Sequence, residues 1–482
     1  METLLLHHIQ PTDFADLDFA ALYEERKREA NFAAVFQVGD CTYALRDHIG
    51  LVPLFYRKAT EGWRFSTNLT DLVQPQDTLD EAGLRYYLGF GSCTIIPLFR
   101  EIGIVPPGAT IRFPAANHSA DHPPELVYQY RIQPQRIPFT RRCSALLYTL
   151  RDLLQKAIHR CALSDDIGLL LSGGIDSFLV GALLKEAGHP FRSYTTARWG
   201  ENSSEYEYAT ACARVLATEH TIDELKTENY DSLFRQLPDF YRLPHASPTG
   251  LGVLSLAQNT SLMQHSVLLN GVLVDTYTSA TPEIHLTFFS PYFPSFLRSR
   301  HDLPYSDSIA NLAHFRSKGI VKNIDPIYQT CAAHQGLARH VIACLLATNG
   351  ANMIEPMLQP LLNARIPLTS PFFDMDVIEF CLGVPMWHSI RWRRAMMPIT
   401  LDKTLFRLLA REYDYPLPIH LKKGFHIPLE RDEAARRFNA QLPSHWNGIR
   451  LVNEEHRFAA ASLLEWGHQL GMEFVKTVSL AA

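Results

Sequence analysis

Residues 172–177 read Ser-Gly-Gly-Ile-Asp-Ser, a set of residue types suited to holding an anion. Gly173 and Gly174 let the backbone approach a ligand closely and turn its N–H groups toward it. Ser172 and Ser177 add hydroxyl donors. The apolar stretch that follows reads as an uncapped helix, whose first turn offers N–H groups and the positive end of a dipole. Asp176 would repel a bare phosphate, so its place here is as a hard oxygen ligand for Mg²⁺. The plain alternative is a strand-to-helix turn capped by a serine. The full hexapeptide, set after a buried strand, weighs against it. The lysine of a kinase-type phosphate loop is missing, which turns the reading away from γ-phosphoryl transfer.

The flanking segments must hold this turn. "IGLLLS" is a short continuous apolar run, as expected of a central parallel strand, and the helix after the turn is expected to stop at Gly188. "FRSYTTAR" and "HSVLLNGVLVD" read as further strands. Ser204 and Glu207 form a capping box that opens the helix "EYEYATACARVLA". An amphipathic helix, "RCSALLYTLRDLLQKAIHRCAL", precedes them all. Strand–helix alternation predicts a doubly wound α/β parallel sheet, with ligands at the carboxyl ends of its strands. Residues from about 300 to 480 read as mainly helical.

The first part of the chain has another grammar. Strand pairs flank Gly39-Asp40 and Glu61-Gly62, "LDEAGLRYYLGFG" has helical spacing, and "LFREIGIVPPGATIRF" returns to strand around a Pro-Pro-Gly turn. Residues 114–128 are polar and proline-rich and are expected to be a loop near a domain boundary.

Composition bounds the class. A chain of 482 residues suits two or three domains. With 46% hydrophobic and 20% charged residues it reads as soluble and globular. A net charge of −5 gives no reason to expect a nucleic-acid partner. No apolar run reaches the roughly 20 residues of a membrane span, and the N-terminus lacks the features of a signal peptide. Eight scattered cysteines without a CxxC pair fit reduced, mostly buried thiols in a cytoplasm.

The turn at 172–177 resembles the SGGxDS loop of the N-type ATP pyrophosphatases. That resemblance implies ATP as cofactor, cleavage between its α and β phosphates, adenylation of a substrate, and retention of pyrophosphate by Ser172, Gly173, Gly174, Asp176 and Ser177. The likeness extends to the asparagine synthetase family. "YALRDHIGLVPLFY", "RFSTNLTDLV", "LRYYLGFG", "LFREIGIVPPGATIRF", "SEYEYATACARVLATEH", "SPFFDMDVIEFCLGVP" and "HLKKGFHIPL" resemble its segments in collinear order, over roughly residues 31 to 430. The resemblance implies an α+β N-terminal domain of the Ntn-hydrolase type over 1–135. An ATP-pyrophosphatase-type synthetase domain with a helical C-terminal part would follow over 136–482.

The departures from the family narrow the reading. Glutamine-dependent members begin Met-Cys, whereas Glu2 stands here, and the early glutamine-pocket segment is missing. The N-terminal domain is therefore expected to be a degenerate glutaminase without a nucleophile. In "LLNGVLVDTYT", which matches the family's SGEGADELFGG, Asp275 falls on the Mg²⁺-associated aspartate, while Val272 and Thr276 replace glutamates near the amino-acid substrate. β-Lactam synthetases, carbapenam synthetases and lasso-peptide cyclases share these two departures. Likeness to them implies Lys422 as the lysine over the reacting centre, with Lys423 the lesser choice, and Asp376 as an acid that helps deprotonate the attacking amine.

The expected activity is an ATP- and Mg²⁺-dependent ligase that adenylates a carboxylate and lets an amine displace AMP, foremost in an intramolecular cyclisation to a lactam or macrolactam, with an intermolecular amide as the other possible product. Its partner would be a small molecule or precursor peptide carrying both groups, with a maturation partner, and no nucleic acid or membrane span. Two alternatives stand beside it. One is an asparagine-synthetase-type amidotransferase fed by free ammonia or a partner glutaminase. The other is a non-enzymatic nucleotide-binding scaffold.

Overall fold

In the computed structural model the described residues are 5–6, 18–28, 31–90, 92–114, 123–198, 204–278, 355–385, 388, 391–392, 400–401, 403–418, 445–446, 449–450 and 454–476. The chain begins with β1 (Leu5–Leu6) and α1 (Phe19–Glu25), then the hairpin β2 (Ala33–Val38) and β3 (Cys41–Arg46). A second hairpin, β4 (Phe55–Ala59) and β5 (Gly62–Ser66), is followed by α2 (Glu81–Phe90). The stretch around Pro106-Pro107-Gly108 divides into β6 (Ile102–Ile104) and β7 (Ala109–Phe113), which enter different sheets. β6 pairs with β4, and β7 pairs with β3. Phe113 of β7 meets the rings of Tyr56, Trp63 and Phe65, so the two sheets share an aromatic contact.

The stretch expected as a loop over 114–128 ends in a strand. β8 (Glu125–Gln129) pairs antiparallel with β7. Leu126, Val127 and Tyr128 are good strand formers, and the free edge of β7 lets them pair despite the preceding prolines.

The RDHIG segment does structural work in this part. The Arg46 guanidinium is fully buried and donates to the carbonyls of Val52 at 2.7 Å, Thr94 at 2.9 Å and Val105 at 3.0 Å. Asp47 accepts the N–H groups of Leu51 and Val52, each at 2.9 Å. The pair satisfies the buried backbone of three loops, as buried polar groups require.

The rest is built as the alternation predicts. α3 (Cys143–Cys161) buries Leu146, Leu150, Leu154, Ala157, Ile158 and Cys161, one face at helical spacing. Each fully buried leucine there contributes about 1.5–3 kcal/mol. β9 (Ile167–Leu170), α4 (Ile175–Glu186), β10 (Phe191–Arg198), α5 (Ser204–Leu216) and β11 (Glu219–Leu225) follow. Then come α6 (Tyr230–Tyr241), α7 (Thr249–Asn259), β12 (Val267–Leu269) and α8 (Val274–Tyr277). Later elements are α9 (Glu355–Ala364), β13 (Leu368–Thr369), α10 (Met375–Gly383), α11 (Thr404–Glu412) and α12 (Glu454–Gln469).

The parallel sheet has the order β11-β10-β9-β12-β13. From β9 the chain winds outward through β10 and β11, then returns to lay β12 on the other side of β9. The switch in winding falls between β9 and β12, and ligands of such sheets bind beyond the carboxyl ends at that point. Two loops leave there, Ser172–Gly174 after β9 and Asn270–Leu273 after β12.

The boundary expected at residue 135 does not separate two cores. One apolar cluster joins Tyr86 and Ile132 to Leu150 and Ile378. Another joins α2 to α6, α7 and α12. Tyr87 donates to the Ala459 carbonyl at 3.0 Å, and the Trp466 indole N–H donates to Thr70 Oγ1 at 3.0 Å. Among the described residues no helix is long and apolar enough to cross a membrane, and Cys41, Cys93, Cys143, Cys161, Cys212 and Cys381 are free thiols.

Candidate active site

Every residue of the 172–177 turn is described, and the turn leaves the end of β9 at the switch point. Gly173 has φ +77°, a left-handed conformation that glycine adopts without strain. A Cβ at Gly173 would fall 2.6 Å from the Ala209 N and the Tyr208 C, so α5 packs directly on the turn. Gly174 is the N-cap of α4 and brings no side-chain cap, so the first N–H groups of α4 are available to a ligand, as expected. The Ser172 and Ser177 hydroxyls lie 3.2 Å apart, and Ser177 Oγ also donates to the Gly174 carbonyl at 3.2 Å. These bonds bring both hydroxyls to the same side of the turn.

The second loop presses against the first. A Cβ on Gly271 would lie 2.6 Å from the Asp176 C and closer still to the Ser177 N. Asn270 is buried, and its Oδ1 accepts the Val272 N–H at 3.1 Å. Its Nδ2 has no partner among the described residues. Leu273 has φ +86° where the family stretch carries glycine, a conformation that costs a branched residue about 1–2 kcal/mol. Asp275 sits in α8, directly after this loop. Its side chain, and that of Thr276, lie outside what the structure describes.

The sequence reading missed Lys403. It is the N-cap of α11, has φ +53°, is 6% exposed, and its ammonium bonds Asp176 Oδ2. A cation at a helix N-terminus opposes the dipole, so "KTLFRLLA" carried a signal in its odd capping residue. Arg407 lies one turn along the same helix and is also buried. The Lys403 ammonium and the N-terminal N–H groups of α4 flank the Asp176 carboxylate. The described donor set fits Mg²⁺ brought in on a polyphosphate, because Mg²⁺ keeps several waters and takes only one or two carboxylates with phosphate oxygens. Asp176 supplies one such carboxylate.

Asp376 stands elsewhere. It is in the first turn of α10, 2.7 Å from Arg28 Nε and 3.7 Å from Lys27 Nζ. Lys27 also pairs with Glu379 at 2.7 Å, and Glu379 accepts from Tyr130 Oη at 3.1 Å. Asp374 caps α10 through the Asp376 N–H at 2.9 Å and pairs with Arg160. Burial pushes the Asp374 carboxyl up, against the pull of that guanidinium. No described contact joins Asp376 to residues 172–177. Its described role is to tie α10 to the N-terminal part. Asp376→Asn should therefore lower stability by about 1 kcal/mol or less, as for a partly exposed ion pair. MgATP affinity should hold. Loss of amide formation with pyrophosphate exchange intact would restore Asp376 as the amine's proton acceptor. Lys422, Lys423 and Glu2 lie outside the described residues.

A glycine turn and an uncapped helix end at the switch point of a parallel sheet define the class of α/β protein that binds ligands beyond the carboxyl ends of its strands. The asparagine synthase family profile matches residues 149–464, and the chain belongs to that family. The glutamine-hydrolyzing asparagine synthetase 1 of Bacillus subtilis (strain 168) is 22% identical over 225 residues, covering 45% of this chain and 34% of that protein. The chain thus spans about a third of that relative's length. Among solved structures, the NMN synthetase of Francisella tularensis matches at 13% identity and TM-score 0.21, covering 29% of this chain and 59% of that one. The NH3-dependent NAD synthetase of Campylobacter jejuni matches at 16% and TM-score 0.22, covering 43% and 93%.

Proposed function

We propose that the protein is an ATP-dependent carbon–nitrogen ligase that activates a carboxylate as its adenylate. The observation that carries this is the pairing of the 172–177 turn with Lys403 at the switch point of the sheet. A carboxylate oxygen attacks the α-phosphorus, and the bond from that phosphorus to the bridging oxygen breaks. The N–H groups at the start of α4, the Ser172 and Ser177 hydroxyls and Lys403 hold the departing pyrophosphate. Asp176 and Asp275 would hold Mg²⁺, which would supply charge neutralisation on the polyphosphate. An amine then attacks the acyl carbon, the bond from that carbon to the phosphate oxygen breaks, AMP leaves with the electron pair, and the amine's proton passes to solvent. Lys422 is the cation proposed for that second step.

The branch reading is intramolecular cyclisation of a small molecule or precursor peptide in natural-product biosynthesis, in the cytoplasm. It rests on Val272 and Thr276. One observation favours a second reading, a nucleotide-binding scaffold without turnover: Leu273 keeps a left-handed backbone without the glycine that suits it. The amidotransferase reading is supported by the match to the Bacillus enzyme.

The purified chain should bind MgATP, release no glutamate from glutamine, and form no asparagine from aspartate, ammonium and MgATP. Asparagine formation would replace the ligase reading with the amidotransferase. Absence of MgATP binding would remove both.

A further inference from the structure

The Gly173 carbonyl points away from the Ser172–Ser177 hydroxyl pair and into a polar contact made by residues far away in sequence. Tyr415 Oη donates to it at 2.8 Å, and Cys212 Sγ of α5 approaches it at 3.6 Å. The same peptide's N–H, that of Gly174, points to Ser172 Oγ at 3.4 Å. A peptide unit is planar and trans, so its carbonyl and N–H face opposite ways. Fixing one end fixes the other. Between two glycines a peptide flip is cheap, because glycine takes either sign of φ. Flipped, this unit would aim a carbonyl oxygen at an incoming phosphate instead of a donor.

Tyr415 is itself rigidly placed. α11 ends in a Schellman motif, with Asp414 at φ +58°, the Asp414 N–H on the Arg411 carbonyl at 3.2 Å and the Tyr415 N–H on the Ala410 carbonyl at 3.0 Å. This reversal turns the Tyr415 ring back onto Phe178 of α4, edge to face, with centroids 5.1 Å apart. Lys403 at the opposite end of α11 bonds Asp176. One helix therefore grips the phosphate turn at two points, a side chain at one and a backbone carbonyl at the other. Burial and the nearby Cys212 and Asp176 push the Tyr415 phenol up, so it stays a donor.

We propose that Tyr415 is a positioning residue for the phosphate turn: its hydroxyl holds the Gly173–Gly174 peptide in the orientation that presents the Gly174 N–H to the β- and γ-phosphates of a bound nucleotide. This rests on the nucleotide reading above. It assigns Tyr415 no contact with substrate.

The test compares wild type with Tyr415→Phe, full length, by calorimetric titration with MgATP, Mg-pyrophosphate and AMP. The variant keeps the ring on Phe178, and circular dichroism with thermal melting checks that it folds. The expected result is binding of MgATP and Mg-pyrophosphate weakened by about five- to tenfold, the worth of one hydrogen bond, with AMP affinity unchanged. Cys212→Ala added to Tyr415→Phe should deepen the loss for the two pyrophosphate ligands alone. Unchanged MgATP affinity in Tyr415→Phe overturns the proposal, and so does an equal loss for AMP, which signals a merely structural role. A wild-type protein that binds none of the three ligands overturns the nucleotide reading itself.

Discussion

Lys403→Met should lower pyrophosphate-forming turnover on the order of a hundredfold or more, the usual cost of removing a preorganised cation from where charge develops. It should also destabilise the fold. The Lys403 side chain is 6% exposed and its Asp176 partner 18%, so removing the ammonium strips a mostly buried carboxylate of its counter-charge. Breaking such a pair costs about 3–5 kcal/mol, against about 0–1 kcal/mol for a pair in water. Local preferences all oppose Lys403 where it stands. A non-glycine residue in the left-handed region costs about 1–2 kcal/mol. A cation at a helix N-terminus costs about 0.3–1 kcal/mol more. Pairing with Asp176 must offset both. The cycle of Lys403→Met, Asp176→Asn and the double variant separates the two roles. In chemical denaturation the double variant should be more stable than Lys403→Met alone, while pyrophosphate release stays lost. Losses of the two single variants that simply add in the double variant would show that the pair contributes nothing to folding. Wild-type turnover in Lys403→Met would remove the residue from the phosphate site.

Gly271→Ala should abolish MgATP binding and cost about 1–3 kcal/mol of stability, although it adds a single methyl group. Its Cβ would lie 2.6 Å from the Asp176 C and 2.7 Å from the Ser177 Cα, and closer still to the Ser177 N. These are backbone atoms, and no rotamer change can clear them. The loops after β9 and β12 must part, and the first turn of α4 moves with them. A displacement of about 1 Å at a reacting centre is worth on the order of a hundredfold in rate. Titration with MgATP and a thermal melt check both effects. Affinity equal to wild type in Gly271→Ala would mean that the two loops do not close on one another.

The architecture of the site was legible in sequence because it is local. A glycine turn between a continuous apolar strand and an uncapped helix is specified by residues 167–186 alone, and α4 and its N-cap fall where that pattern puts them. The same holds for α3, whose apolar spacing requires one buried face, and for the two N-terminal hairpins. β8 was misread because its prolines lie upstream of it and its pairing depends on the edge of β7, a partner no local pattern names.

The composition of the site was a different matter. The residues that complete it around Asp176 and Gly173 come from positions 403 and 415, more than two hundred residues along the chain. Sequence by itself set which elements form and where the phosphate turn lies, since hydrophobic period and glycine placement act over one or two turns of chain. Only the tertiary structure decided which charge meets Asp176, which hydroxyl holds Gly173, and that Asp376 faces Lys27 and Arg28. Those pairings follow from the order of strands in the sheet, the packing of α11 on α4 and that of α10 against residues 26–28. Coulomb and hydrogen-bond energies depend on distance in space, and chain separation does not report it.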